Sequence, residues 1–358
     1  MIEVDLAHDF PGFALRVGFT APAGITALFG PSGSGKSSVA LALAGLMRPD
    51  RAVIRLGGRV LQDEATFLPP GARCIGVVFQ DHRLFPHLTV KQNLGYARRF
   101  GTARGGAPLG EVADLLGLSA LLDRGTADLS GGERARVAIG RALMSDPAAL
   151  ILDEPFAALD APRRAEILPY LESLRDRYGL PMLLISHALG EVARLARTLV
   201  VLQAGKVAAF GRAEALLSDP SLVPIFGSGE AGALIAAVVG ARAVDGLTEV
   251  TTAGGPVFLA GALPVQGSTI RLRIRAQDVM LAVGQIGGIS ALNLLTAEVE
   301  ALAPEGEAGM IVVLRLGQQP LNGERLLARV TKRSAEALGL RPGLAVQAIL
   351  KTVALAGG

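Results

Sequence analysis

The sequence predicts an α/β domain, with a mixed sheet and a helical subdomain, followed by small all-β barrels of the OB type. Three observations predict it. The run Phe29-Gly30-Pro31-Ser32-Gly33-Ser34-Gly35-Lys36-Ser37-Ser38 follows an apolar strand, Ile25-Thr26-Ala27-Leu28, and precedes the helical Val39-Ala40-Leu41-Ala42-Leu43-Ala44, which is the strand–loop–helix context of a phosphate-binding loop. Two continuous apolar runs, 148–152 and 182–185, flank a segment with Ile167, Leu171 and Leu174 on one helical side; that βαβ order places parallel strands under helices. Beyond residue 228 the texture turns to short β-type runs separated by turn residues.

Taken in order, residues 1–28 alternate loosely and read as two or three antiparallel strands. A hairpin is expected over 52–60, a short buried strand over 75–79, and a mostly helical subdomain over about 89–146, broken at 101–110. The nucleotide-binding domain covers 1–228, a linker and accessory β segment 229–286, and a small β-barrel 287–358. Net charge is +3, and no basic run is interleaved with aromatics, so nucleic acid binding is not indicated. One cysteine, Cys74, excludes an intramolecular disulfide and fits a reducing compartment. The acidic N-terminal stretch does not read as a signal peptide, so none is expected. The uncharged or nearly uncharged stretches 251–270 and 279–297 are long enough to span a bilayer but are broken by glycine, glutamine and proline or asparagine, and read as strands with turns.

The glycines at 30, 33 and 35 let backbone N–H groups close around a polyphosphate, Lys36 adds a full charge, and the Ser37 hydroxyl can ligate Mg²⁺. Leu150-Ile151-Leu152-Asp153-Glu154 sets two carboxylates just past a buried strand, the end at which open α/β sheets hold ligands. Asp153 is the candidate Mg²⁺ ligand, through water, and Glu154 the base that polarises the water attacking a γ-phosphate. Leu129-Ser130-Gly131-Gly132-Glu133 opens a second helix with Ser130 as N-cap, again a helix N-terminus built to face an anion.

With Gln80 after Val77-Val78-Phe79, Asp160 in Ala158-Leu159-Asp160, and His187 after Leu184-Ile185-Ser186, this ordered set resembles the ATPase subunits of ABC transporters over residues 1–228. The resemblance implies that two ATP molecules are sandwiched in a head-to-tail homodimer, between residues 30–38 of one copy and Ser130, Gly131 and Gly132 of the other. It implies that His187 contacts the γ-phosphate, that Gln80 senses Mg²⁺ and water and links them to a membrane permease, that Asp160 lies in the nucleotide interface, and that an aromatic, Phe10 in preference to Phe13, stacks on adenine. Ala157 stands where the family often has serine, which removes one hydrogen bond across the dimer. The segment 81–90 resembles the part of importer ATPases that receives a permease coupling helix, with Leu84 and Phe85 expected to be exposed.

Ser290-Ala291-Leu292-Asn293, 331–340 and 346–352 resemble the small molybdate-binding (Mop, TOBE-type) domain, and 271–283 the accessory barrel segment of oxyanion importers. The whole chain is similar to ATPase subunits of molybdate ABC importers. That implies a peripheral protein on the cytoplasmic face of the inner membrane, partnered by permease subunits and, through them, an extracytoplasmic molybdate-binding protein. Molybdate, with tungstate as a near-isosteric second cargo, is the implied substrate, and Ser290, Lys351 and Thr352 are the implied oxyanion contacts, with Leu292 where the family commonly has arginine. Sulfate, ferric iron or polyamine importers are the alternative cargo class. A soluble ABC ATPase without a permease is the alternative of another kind, set back by the single ABC unit and the docking segment.

Overall fold

In the computed structural model, residues 1–100, 106–157, 159–227, 229–261, 263–284, 286–317, 324–350 and 354–355 are described. They divide into two compact units, 1–212 and 213–358. The division falls ahead of the boundary expected near residue 228, because the first unit closes with the last strand of its sheet and not at the glycine-rich turn.

The first unit runs β1 (Ile2–Phe10), β2 (Phe13–Ala21), β3 (Gly24–Phe29), α1 (Lys36–Ala44), β4 (Arg51–Leu56), β5 (Arg59–Gln62) and β6 (Ile75–Val78). The helical segment follows as α2 (Val90–Phe100), α3 (Leu109–Leu115) and α4 (Gly131–Leu143). Then come β7 (Ala149–Asp153), α5 (Ala161–Tyr178), β8 (Pro181–Ile185), α6 (Leu189–Leu195), β9 (Thr198–Gln203) and β10 (Lys206–Arg212). The strands form one ten-stranded sheet in the order β5-β4-β1-β2-β10-β9-β3-β8-β7-β6. The hairpin expected over 52–60 is β4–β5, and β1 and β2 are antiparallel as expected, whereas β3 pairs in parallel with β8 and β9.

Two strand chemistries account for this mixture. Ile2, Val4 and Leu6 of β1 and Leu15, Val17 and Phe19 of β2 alternate with exposed or half-buried neighbours, so this half of the sheet buries one face. β7 and β8 are apolar at nearly every position and buried up to the half-buried Asp153 that ends β7, as expected of parallel strands covered on both faces. The order β3-β8-β7-β6, all parallel, has one consequence for the site: the segments leaving these four strands emerge at one edge of the sheet.

The second unit holds two five-stranded sheets, β13-β12-β11-β14-β20 and β15-β19-β16-β17-β18. The first is built from β11 (Gly232–Arg242), β12 (Leu247–Thr252), β13 (Gly255–Ala260), β14 (Thr269–Arg275) and β20 (Ala354–Leu355); the second from β15 (Val279–Ala282), β16 (Asn293–Glu305), β17 (Gly309–Leu316), β18 (Arg325–Thr331) and β19 (Ala345–Leu350). Their inner faces share one core, in which Ile235, Val257 and Leu272 meet Leu295, Leu314 and Val346. The segments 229–286 and 287–358 are interleaved: β15 of the former pairs with β19 of the latter, and β20 returns to β14. The stretches 251–270 and 279–297 are strands and turns, and no helix among the described residues is long and apolar enough to cross a membrane.

Candidate nucleotide site

At the C-terminal edge of β3 the loop 30–35 wraps the start of α1. Lys36 is almost fully buried, and its Nζ donates to Gly30 O at 2.8 Å and Pro31 O at 2.9 Å. Burial pulls its pKa below the usual lysine value, and the carboxylates of Glu154 and Asp153 push back. The ammonium is thus held by neutral carbonyls, with two acids nearby and room in its chemistry for an anion. Gly35 has φ 102°, and a methyl group added there would lie 2.6 Å from Leu15 Cδ1, so both the conformation and the space demand glycine. The Ser34 hydroxyl is buried in the same loop without a protein partner. These features fit a phosphate group.

Asp153 ends β7 and Glu154 follows it with φ 45°, a left-handed conformation that a non-glycine residue adopts only when the surroundings hold it. The Glu154 N–H donates to Ile185 O at 3.0 Å, which turns the chain toward the end of β8. His187 Nδ1 then lies 3.4 Å from Glu154 Oε2. Burial and the adjacent Glu154 charge raise the Asp153 pKa, while Lys36 and the Ser37 hydroxyl oppose the rise. Ser37 and Asp153 therefore face each other as oxygen donors, a set suited to Mg²⁺.

One residue behind the site was missed by sequence reasoning. Glu191 is buried, and its Oε2 accepts from Ser186 Oγ at 2.6 Å while Oε1 lies 3.3 Å from Arg164 Nε. Ser186 Oγ also accepts from the Ala188 N–H at 3.0 Å. This network fixes the turn that presents His187. Its local signal was the serine before His187, a turn-forming hydroxyl with a glutamate five residues on.

Ser130 caps α4 in a full capping box: Glu133 N donates to Ser130 Oγ at 3.2 Å and Ser130 N to Glu133 Oε2 at 2.7 Å. The bond from Ser130 N holds the Glu133 carboxyl below its usual range. A methyl group added at Gly131 would lie 2.9 Å from Leu159 Cδ2, so this loop nests against the loop that ends at Asp160. Asp160 is the N-cap of α5, accepting from Arg163 N at 3.0 Å. Among the described residues, no hydrogen bond or ion pair joins Ser130 or Asp160 to Lys36, Asp153 or Glu154.

Gln80 is exposed in the turn after β6. Beyond it, Leu84 and Phe85 are half-buried and not exposed as expected: Phe85 stacks on Tyr96 at 4.1 Å, and Arg141 lies 5.1 Å over its ring. The aromatic ring is used to seat the segment on α2 and α4. A surface cavity of about 250 Å³ remains beside it, lined by Asp81, His82, Arg83, Leu84, Pro86 and Arg134 among others. Phe10 and Phe13 face each other across the tip of the β1–β2 hairpin at 6.0 Å, and Phe13 reaches the phosphate loop, 3.3 Å from a methyl group placed on Gly35. In the second unit Ser290 is exposed; Lys351 and Thr352 lie outside the described residues.

Residues 16–157 match the ABC transporter family model and 289–356 the TOBE domain model. Proteins named "Molybdenum import ATP-binding protein ModC" are similar over almost the whole chain. That of Mesorhizobium japonicum is 44% identical, covering 98% of this chain and 95% of its own; that of Rhizobium etli is 46% identical, covering 99% of each. The Granulibacter bethesdensis protein is 47% identical, covering 99% of this chain and 97% of its own. The chain belongs to this family of ABC-transporter ATP-binding proteins. Among solved structures, a nucleotide-free ATP-binding cassette from an ABC transporter superposes with TM-score 0.54 at 26% identity, covering 63% of this chain and 98% of its own. A cassette in its ADP conformation gives TM-score 0.53 at 25% identity, covering 63% and 97%.

Proposed function

We propose that this chain is the ATP-hydrolysing subunit that powers molybdate import through a membrane permease, acting as a head-to-tail pair of copies on the cytoplasmic face of the inner membrane. The observation that carries the reading is end-to-end similarity, 44–47% identity, to proteins named for molybdenum import, in a chain whose phosphate loop and acid–histidine pair converge. An extracytoplasmic binding protein would deliver the oxyanion to the permease. Tungstate is a second cargo on grounds of shape and charge.

In this reading Lys36 exchanges the carbonyls of Gly30 and Pro31 for phosphate oxygens, and the N–H groups of residues 33–38 complete the cradle, with Pro31 and Ser32 shaping its rim. Ser37 and, through water, Asp153 would hold Mg²⁺, which when bound neutralises phosphate charge. Glu154 accepts the proton of the attacking water, and His187 orients that carboxylate and meets the γ-phosphate. Ser130, Gly131 and Gly132 of the second copy close the site with a helix N-terminus, and Asp160 lines the same interface. Ser130 Oγ already accepts from Glu133 N, which leaves its proton to donate to phosphate. Gln80, exposed beside the cavity at 81–86, carries the state of the site to the permease. Phe10 offers its face to adenine.

In the second unit Ser290, with Lys351 and Thr352, is proposed to hold oxyanion by hydroxyls and one cation. Leu292 in place of arginine makes this a weakly charged site. Transport by the permease-matched complex in proteoliposomes tests the cargo. Uptake of labelled molybdate that a hundredfold excess of sulfate leaves intact is the expected result; equal competition by sulfate would transfer the chain to another oxyanion.

A further inference from the structure

The β1–β2 hairpin overhangs the sheet at the nucleotide site. The ladder between β1 and β4 runs from Ile2↔Leu56 to Ala7↔Arg51 and stops there, while β1 continues to Phe10 and turns back at Phe13. The three residues His8, Asp9 and Phe10 thus have no strand beside them on the β4 side. Asp50, immediately before β4, takes over where the ladder ends. Its Oδ2 accepts from the Asp9 N–H at 2.8 Å and lies 3.0 Å from His8 Nδ1. The His8 ring in turn stands edge-on to the Phe10 ring, with centroids 4.3 Å apart and planes at 89°. That is the favourable T-shaped arrangement of an aromatic pair.

The other side of the overhang is tied separately. Arg16 of β2 reaches Asp9 Oδ1 at 2.6 Å and His8 O at 3.1 Å, and its own N–H donates to Gly205 O at 2.7 Å. With Phe13 resting against the phosphate loop at Gly35, the tip has a fixed floor and a fixed flank. Phe10 packs beside Phe13 against the core of the sheet, and on its other side it meets the Asp50–His8 pair through the His8 ring. The backbone bond to Asp9 is also what holds the Asp50 carboxyl below its usual range, with the His8 and Arg16 charges adding to it.

We propose that Asp50 and His8 are positioning residues for the base of the nucleotide: Asp50 anchors the overhang and His8, and His8 sets the plane of Phe10. This rests on the reading of Phe10 as the adenine platform. Neither residue touches the phosphates or the reacting atoms, so their effect falls on affinity for the base and leaves the chemical step alone. The carboxylate supplies two contacts from one oxygen, and an amide at position 50 keeps the bond to Asp9 while losing the charge opposite His8.

The test is equilibrium binding of ADP and of inorganic tripolyphosphate to the full chain, with kcat and KM for ATP measured alongside. Asp50→Ala is expected to weaken ADP about fivefold and Phe10→Ala about tenfold, as loss of base–aromatic stacking requires. Tripolyphosphate affinity stays at the wild-type value in both, and kcat stays at the wild-type value in Asp50→Ala. Asp50→Asn lies between wild type and Asp50→Ala, and Asp50→Ala adds nothing to Phe10→Ala, because both act on one ring. If Phe10→Ala leaves ADP binding unchanged, the platform reading falls and this inference with it. If Phe10→Ala weakens ADP and Asp50→Ala does not, the platform stands and the positioning role is overturned. Equal losses for ADP and tripolyphosphate in Asp50→Ala would show general damage to the loop, and overturn it as well.

Discussion

Asp153 shows what the site costs the resting protein. Burial and the neighbouring Glu154 charge raise its pKa in the folded chain. Between the usual carboxylate value and that raised value the folded form keeps a proton the unfolded form has lost, so stability falls as pH climbs through the window. The penalty then persists at neutral pH. Asp153→Asn removes it: the nucleotide-free protein is expected to melt a few degrees higher at pH 7.5, and the gain should shrink toward zero at pH 3.5, where the carboxyl is mostly protonated in both forms. Hydrolysis should fall by about 10²-fold or more in the same variant, as loss of the proposed metal ligand implies. A melting temperature unchanged at pH 7.5 would mean that the carboxylate is not strained. At this scale the motif residues were legible because each sits at a fixed short spacing from its neighbours. Asp50 with His8, and Glu191 with Arg164, were not, since those pairs meet only after folding brings distant segments together.

At the scale of elements, α4 depends on Ser130 twice, as the cap of its own helix and as the proposed donor to phosphate in the partner copy. The two roles separate in Ser130→Asp. Aspartate caps as well as serine and suits the positive end of the helix, so the fold should be kept, with a melting temperature near wild type. Its carboxylate would oppose the γ-phosphate. ATP binding to one copy should be retained, while ATP-dependent dimerisation and hydrolysis fall at least about a hundredfold; light scattering and phosphate release check both. Normal dimerisation would remove Ser130 from the nucleotide interface. Helix starts of this kind are written locally, in Ser-x-x-Glu and in Asp160 before a proline-containing first turn. Helix ends were less legible. α1 stops at Gly45, whose left-handed φ is 76°, and its last carbonyls, Ala42 O and Leu43 O, accept from Arg73 Nη1 at 2.8 and 2.9 Å. Arg73 is fully buried, against the ordinary placement of arginine, and nothing near it in sequence announces that role.

For the whole molecule, order along the chain and order in space part company in the second unit. Composition and turn residues locate its strands, and β14, β16 and β17 fall where the sequence places β-type runs. They cannot say which sheet a strand joins, because pairing depends on partners far along the chain. A soft division near Gly287-Gly288 would separate β15 from β19 and β11 to β14 from the sheet they cover. The fragment from residue 287 onward would leave Leu295, Val299, Leu314 and Val346 facing water, all of them buried in the intact unit. At roughly 1.5–3 kcal/mol for each buried aliphatic side chain, that exposure is comparable to the whole stability of a domain of this size. The fragment 213–358 should therefore unfold in one cooperative transition, and 287–358 should bind a hydrophobic dye and give no sharp transition. Cooperative unfolding of the shorter piece would show that the second sheet holds its own core, and that the oxyanion-binding reading of Ser290 and Lys351 can be tested on it alone. Failure of the shorter piece ties any oxyanion site there to the integrity of both sheets, so an anion bound at one end of β16 would be felt across a core shared with β11 and β14.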